Sequence, residues 1–372
     1  MARGAVLPTL QGFARSLFEG IDRPLAAVVL ALTAIGLATL YSALSHQPER
    51  MAAQLAHVAI ALAAALAAAR LPPQLLVRAA PAAYLGALAL LVAVALFGDV
   101  VNGARRWLNL GVARFQPSEL MKLVLPFALA AYFHQREAAP RGRDFVVAAL
   151  LVALPVALVA RQPDLGTALL IAAAGGYVIF FAGLSWKPIA ALALAAVAAL
   201  PAVWGLLHDY QRRRVITLLD PTQDPLGAGY HTIQSTIAVG SGGVAGKGWL
   251  HGTQAHLEFI PERHTDFIFA VYAEEFGFLG SGLLLLLYGL LVARGFAIAA
   301  AAATVFGRLL AAALTLLVFT YAFVNMGMVA GILPVVGIPL PFISYGGTAM
   351  ATLYLAVGLL MNVHRHRRLV QT

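Results

Sequence analysis

The sequence contains no cysteine and very little charge. Without cysteine there is no disulfide framework, no thiol nucleophile and no cysteine metal site. Charged residues make up 11% of the 372 residues, against about 25% in soluble domains. A water-soluble chain of this length has too much surface to cover with so few charges. A bilayer removes that requirement. The histidines are scattered, with no zinc spacing, and no internal repeat of the kind many transporters carry is visible. What is abundant is apolar: 61% of the chain is hydrophobic. The net charge of +9 comes from Lys and Arg in short runs between apolar segments. That pattern reads as membrane topology and not as a nucleic-acid surface.

A transmembrane helix needs roughly 20 apolar residues. About ten segments qualify, near 24–44, 52–69, 77–98, 118–134, 145–160, 164–184, 187–207, 267–293, 307–331 and 347–363. The expected fold is an all-α polytopic membrane protein forming a single integral membrane domain over 1–372. The first apolar run is long for a signal peptide and reads as an uncleaved span. Only Arg161-Gln162-Pro163-Asp164 separates the fifth segment from the sixth, which implies a tight helical hairpin. An even count puts both termini on one side. With cytoplasmic termini, that side collects Arg23, Arg70, Arg78, Arg136, Arg141, Arg143, Lys187, Arg294, Arg308, Arg365 and Arg367, among others. The opposite short loops hold Arg50, Arg105, Arg106, Arg114 and Arg161. The bias favours cytoplasmic termini.

Three segments break the apolar pattern, all on the outer side in this reading: 100–122, about 208–265, and 331–347. The stretch 208–264 is a large extracytoplasmic loop between the seventh and eighth helices. Loops this long are uncommon unless functional or disordered. These keep Trp107, Tyr230, Trp249 and Phe259, unlike disordered linkers. They are expected to fold back on the bundle and form one site.

Ionisable residues in or beside spans are costly and therefore functional candidates. Asp266 starts a long apolar helix at the water–membrane boundary. It reads either as a helix N-terminal carboxylate or N-cap, or as a working group. Glu119 and Lys122 lie three residues apart on one helix face. They form either a structural ion pair or a substrate-positioning pair in which Lys122 meets an anionic group. Arg212, Arg213 and Arg214 suit lipid headgroups or a pyrophosphate, which arginine grips through its forked donors. Gly240-Ser241-Gly242-Gly243 with Gly246-Lys247-Gly248 lacks Walker spacing and reads first as turn glycines. Glu274 and Glu275, as helix neighbours, diverge by about 100°, and one is expected to pair within the bundle.

Several segments together resemble one family. They are Asn102 to Leu108, Arg114-Phe115-Gln116-Pro117-Ser118-Glu119-Leu120, Arg161 to Thr167 and Asp224 to His231. They continue with Gly246-Lys247-Gly248-Trp249, Pro261 to Phe269, Ala273-Glu274-Glu275 and Pro341-Phe342-Ile343-Ser344-Tyr345-Gly346-Gly347. In this order they resemble the SEDS proteins (shape, elongation, division and sporulation). The wording around Glu119 and Asp266 is similar to the elongation type. The resemblance implies a peptidoglycan glycosyltransferase that polymerises lipid II at the outer face of the bacterial cytoplasmic membrane. It implies lipid II and an undecaprenyl-linked glycan chain as substrates. It also implies a class B penicillin-binding protein and other elongation-complex membrane proteins as partners, and no nucleic acid.

Asp266 matches the family's essential aspartate and is the expected catalytic base. Glu119 and Lys122 match polar residues of the family's cavity. With Arg213, Lys247 and Ser344 they make up the candidate substrate-binding set. The sequence shows no dedicated metal cage, and a divalent cation on the pyrophosphate stays open. Two other classes compete: a lipid II flippase, which needs polar lining at both depths, and a non-catalytic scaffold that only activates its partner.

Overall fold

The computed structural model describes residues 20–44, 47–101, 104–109, 114–136, 140–162, 164–206, 212, 216–217, 220–223, 228–256, 259–260 and 262–367. A helix lies over each of the ten expected segments. In chain order they are α1 (Arg23–Ala43), α2 (Pro48–Ala68), α3 (Pro73–Phe97), α4 (Pro117–His134), α5 (Gly142–Ala160), α6 (Leu165–Phe181) and α7 (Trp186–Leu206). After α8 (Ala228–Ser241) and the single turn α9 (Thr253–His256) come α10 (Ile268–Ala300), α11 (Val305–Val329) and α12 (Thr348–Arg365). By length and composition, α1, α2, α3, α5, α10 and α11 can cross a membrane. Their lipid-compatible faces stay exposed, as at Leu85, Leu150, Phe278 and Leu286.

Two features depart from ten helices joined by loops. The segment after α3 forms a short antiparallel meander, β1 (Asp99–Val101), β2 (Ala104–Asn109) and β3 (Arg114–Phe115). The long segment between α7 and α10, where described, is partly helical: α8 packs on α10 and touches α11. The core runs through α4 and α11, whose residues are mostly buried. Around them pack α3, α6, α10 and α12. Among the described residues no helix packs extensively along α7.

The connections sort to two ends of the bundle. At one end Asp22 meets Arg294 at 2.5 Å and His364 at 3.2 Å. There Asn362 also holds the carbonyls of Ala68 and Leu71. At the other end lie the described parts of the segments that break the apolar pattern: the strands after α3, the 262–267 turn and the segment between α11 and α12.

Helix α10 is not continuous. Gly277 takes φ 64° and ψ −158°, so the helix breaks one turn below Glu274 and Glu275. Backbone groups freed inside a membrane must find partners. Here Lys247 N and Gly248 N donate to the carbonyls of Glu274 and Glu275. Phe278 N and Leu279 N donate to Gly243 and Val244. The glycine-rich run thus serves as a clip on the broken helix, and its glycines allow the close approach: a methyl on Gly246 or Gly242 would strike the α10 backbone.

Candidate functional site

The carboxylate of Asp266 sits in a turned segment, not at the helix cap. Residues 262–267 fold through Thr265 N and Phe267 N, both donating to Glu262 O. The N-cap of α10 is Phe267, and no side chain caps the helix. This sets aside the N-cap reading of Asp266. Three consecutive carbonyls of this turn are held from other elements. Tyr345 N donates to His264 O at 2.8 Å, Ser344 Oγ to Thr265 O at 2.7 Å, and Asn325 Nδ2 to Asp266 O at 2.8 Å. Ser344 Oγ also accepts from Leu340 N, so its hydroxyl is used on both sides within the chain.

The Asp266 side chain is half-buried. Gly337 lies against it: a Cβ there would stand 3.3 Å from Oδ2. Phe267 stacks on His231 of α8, with centroids 5.6 Å apart. Burial under these neighbours, and next the negative charge of Glu262, push the Asp266 pKa up to about 6. Among the described residues no donor hydrogen-bonds this carboxyl. It stands two residues from His264, which meets Arg50 at 3.2 Å. Burial, and then Arg50, hold the His264 pKa below its ordinary value.

Glu119 and Lys122 are both buried and in contact, with Nζ 2.5 Å from Oε1. Pro117 at the first turn of α4 starts the helix that carries them. Tyr321 of α11 donates to Glu119 Oε2 at 3.0 Å, and the Lys122 ammonium lies 4.6 Å from its ring centroid. Asn325 is one turn further along α11, on the same face. One helix therefore touches the buried pair with one side chain and the Asp266 turn with another, about 6 Å apart by helix rise. Nearby, Arg106 of β2 reaches Asp164 at 3.6 Å, and Asp164 caps α6 through Thr167 N.

The other sequence candidates sit elsewhere. Lys247 pairs with Glu274 at 2.6 Å and with Thr253 at 2.9 Å. Glu274 also accepts from Gln254 N, while Glu275 accepts from Ser42 and from Leu250 N. The two glutamates do diverge, and both find partners. Arg212 donates to the carbonyls of Trp204 and Gly205, closing the C-terminus of α7. Arg213 and Arg214 lie outside the described residues, as do Asn102, Gly103, Pro163, Pro261 and 224–227. Sequence reasoning missed Tyr321 and Asn325. It weighed only ionisable residues inside spans, and the same cost applies to a neutral amide or hydroxyl there.

Comparison with known proteins adds to this geometry. The model of the FTSW_RODA_SPOVE family, described as cell cycle protein, matches residues 23–369. The peptidoglycan glycosyltransferase MrdB of Escherichia coli is 48% identical over 351 residues, covering 94% of this chain and 95% of its own length. A probable peptidoglycan glycosyltransferase FtsW of Thiomicrospira cyclica is 35% identical, covering 95% of this chain and 94% of its own. The crystal structure of the Thermus thermophilus rod shape determining protein RodA superposes with a TM-score of 0.72 at 33% identity, over 94% of this chain and 98% of that one. A chain from a structure described as the structural coordination of polymerization and crosslinking by a peptidoglycan synthase complex reaches 0.81 at 37% identity, over 94% and 99%.

Proposed function

The chain belongs to the FTSW_RODA_SPOVE family of cell cycle proteins, and we propose how it carries out its chemistry as a peptidoglycan glycosyltransferase. It is a multi-pass membrane enzyme. The donor is a glycan chain joined through its terminal C1 to undecaprenyl pyrophosphate. The acceptor is the 4-hydroxyl of the GlcNAc of lipid II. The acceptor oxygen forms a bond to C1 as the C1–O bond to the pyrophosphate breaks, and the bonding electrons leave with the undecaprenyl pyrophosphate. The α linkage of the donor becomes β, so a single inverting displacement suffices, with one carboxylate taking the hydroxyl proton.

Asp266 is that base. The observation that carries the reading is a half-buried carboxyl with no hydrogen-bond partner among the described residues and a pKa of about 6. An ordinary aspartate near 3.9 is a weak base at neutral pH. Raised to about 6, it is ionised at pH 7 and closer to the ideal for proton transfer. Lys122 is the cation for the pyrophosphate, exchanging Glu119 for a phosphate oxygen when substrate is bound. Such positive charge stabilises the leaving group. Arg213, through its forked donors, is proposed to attract the pyrophosphate, Lys247 to do so only by leaving Glu274 and Thr253, and Ser344 serves the substrate indirectly by holding Thr265. A divalent cation arriving with the pyrophosphate would share the charge. Among the described residues no three His, Asp or Glu side chains gather to hold one. Both substrates keep their tails in lipid, so the site opens sideways between helices.

Ten spans, cytoplasmic termini and an outward-facing site complete the proposal, with a class B penicillin-binding protein as partner. The likeness to a chain of a peptidoglycan synthase complex supports that partner. The flippase reading is disfavoured, because the relatives are named glycosyltransferases. The test is the pH dependence of polymer formation from lipid II in detergent, where there is nothing to flip. The rate should fall as pH drops through about 6. A rate flat from pH 8 to 5 would contradict Asp266 as base.

A further inference from the structure

We propose that Asn325 is the positioning residue for Asp266. The inference deepens the reading of Asp266 as base and rests on it. Asn325 is fully buried in the last turns of the apolar helix α11. Its amide nitrogen donates to two backbone carbonyls, Asp266 O at 2.8 Å and Ile338 O at 2.6 Å. It thereby ties three separate pieces together: α11, the 262–267 turn and the segment between α11 and α12. The residue beside Ile338 is Gly337, whose backbone has φ +74° and lies against the Asp266 carboxyl. The span between these two carbonyls, which Asn325 sets, fixes where the carboxyl stands relative to Gly337. Through Tyr321, one turn away, the same helix face also touches Glu119, the partner of Lys122.

Asn325 Oδ1 is buried and has no hydrogen-bond partner among the described residues. An orphaned buried acceptor is costly and calls for a reason. An apolar residue of the same shape would remove that cost, so the amide is retained for its two donors. The rest of the turn does not depend on it. The carbonyls of His264 and Thr265 are held independently by Tyr345 and Ser344. Loss of Asn325 should therefore free the Asp266 peptide while the fold stays in place. A misplacement of about 1 Å can cost 10²-fold in rate.

The experiment measures initial rates of polymer formation by the full-length chain with its penicillin-binding partner, over a range of lipid II concentrations. Asn325→Leu, close to isosteric, should lower kcat about 10²-fold and leave KM within about threefold. Asn325→Ser keeps one donor and should recover part of that loss. Added to Asp266→Asn, Asn325→Leu should lower the residual rate by less than about threefold, since residues that act as a unit are not additive. A near-normal kcat for Asn325→Leu, with Asp266→Asn dead, overturns this inference alone. So does full additivity with Asp266→Asn, or failure of both Asn325 variants to fold, since either gives Asn325 a general structural role. A fully active Asp266→Asn overturns the base reading, and this inference with it.

Discussion

At the scale of single residues, the two candidate carboxylates lie in different company. Asp266 is desolvated without a cation, so its proton affinity rises. Glu119 is buried with a cation and a phenol against it. The sign for Asp266 follows by linkage. Its folded pKa of about 6 is above the unfolded value, so the ionised form costs stability at neutral pH, and the cost disappears as both states become protonated at low pH. Asp266→Asn should therefore unfold at a higher temperature than wild type at pH 7, with the gap closing towards pH 4. A lower melting temperature for the variant at pH 7 would mean that the carboxylate is compensated. For the pair, Lys122→Met should cost about 3–5 kcal/mol, because Glu119 is left buried and uncompensated. The double variant Lys122→Met with Glu119→Gln should recover most of that stability while polymerisation stays lost. Near-normal polymer from the folded double variant would remove the pair from substrate handling. The sequence reveals Asp266, Glu119 and Lys122, because charge in an apolar setting is visible without a structure. It hides the hold on Asp266, which depends on carbonyls and on the neutral side chains Asn325 and Ser344.

At the scale of elements, the broken helix α10 shows how much a local pattern can and cannot give. The apolar period announces a helix from 267 onward, and the structure gives one from Ile268. Nothing in that period announces the break at Gly277, because the glycine works through a distant segment. Its positive φ suits glycine, and any Cβ would collide with the backbone of Gly246 and Val244. Gly277→Ala should therefore cost about 1–3 kcal/mol, the range for a residue held in a sparsely populated conformation. It should also loosen Lys247 from Glu274. Gly289→Ala, on the same helix with open space around it, should stay within about 1 kcal/mol of wild type. Thermal unfolding of the two variants side by side in detergent checks the contrast. Equal midpoints would show that the clip from 243 to 248 does not hold the break. The meander at 99–115 was equally hidden: its strands are two to six residues long, too short for alternation to stand out.

At the scale of the whole molecule, the alternation of helices brings the 262–267 turn against α11 and the segment between α11 and α12. Composition and span spacing suffice to read a helical membrane protein. The packing that joins α4 and α11 to the 262–267 turn comes from residues 59 to 202 positions apart, which no local pattern encodes. In cysteine labelling of intact cells, Gln254→Cys should react from outside and Arg308→Cys only after permeabilisation. Reaction of Gln254→Cys only from the cytoplasmic side would invert the topology and the mechanism with it. The central claim, that Asp266 takes the proton as the glycosidic bond forms, meets its most direct test in one comparison. Purified wild type and Asp266→Asn, each with the same partner, are given lipid II under identical conditions, and the glycan polymer formed is measured. The account expects a folded variant whose polymer formation is about 10²–10⁴-fold slower. Near-wild-type polymer from Asp266→Asn would contradict it and make Glu119 the next carboxylate to examine.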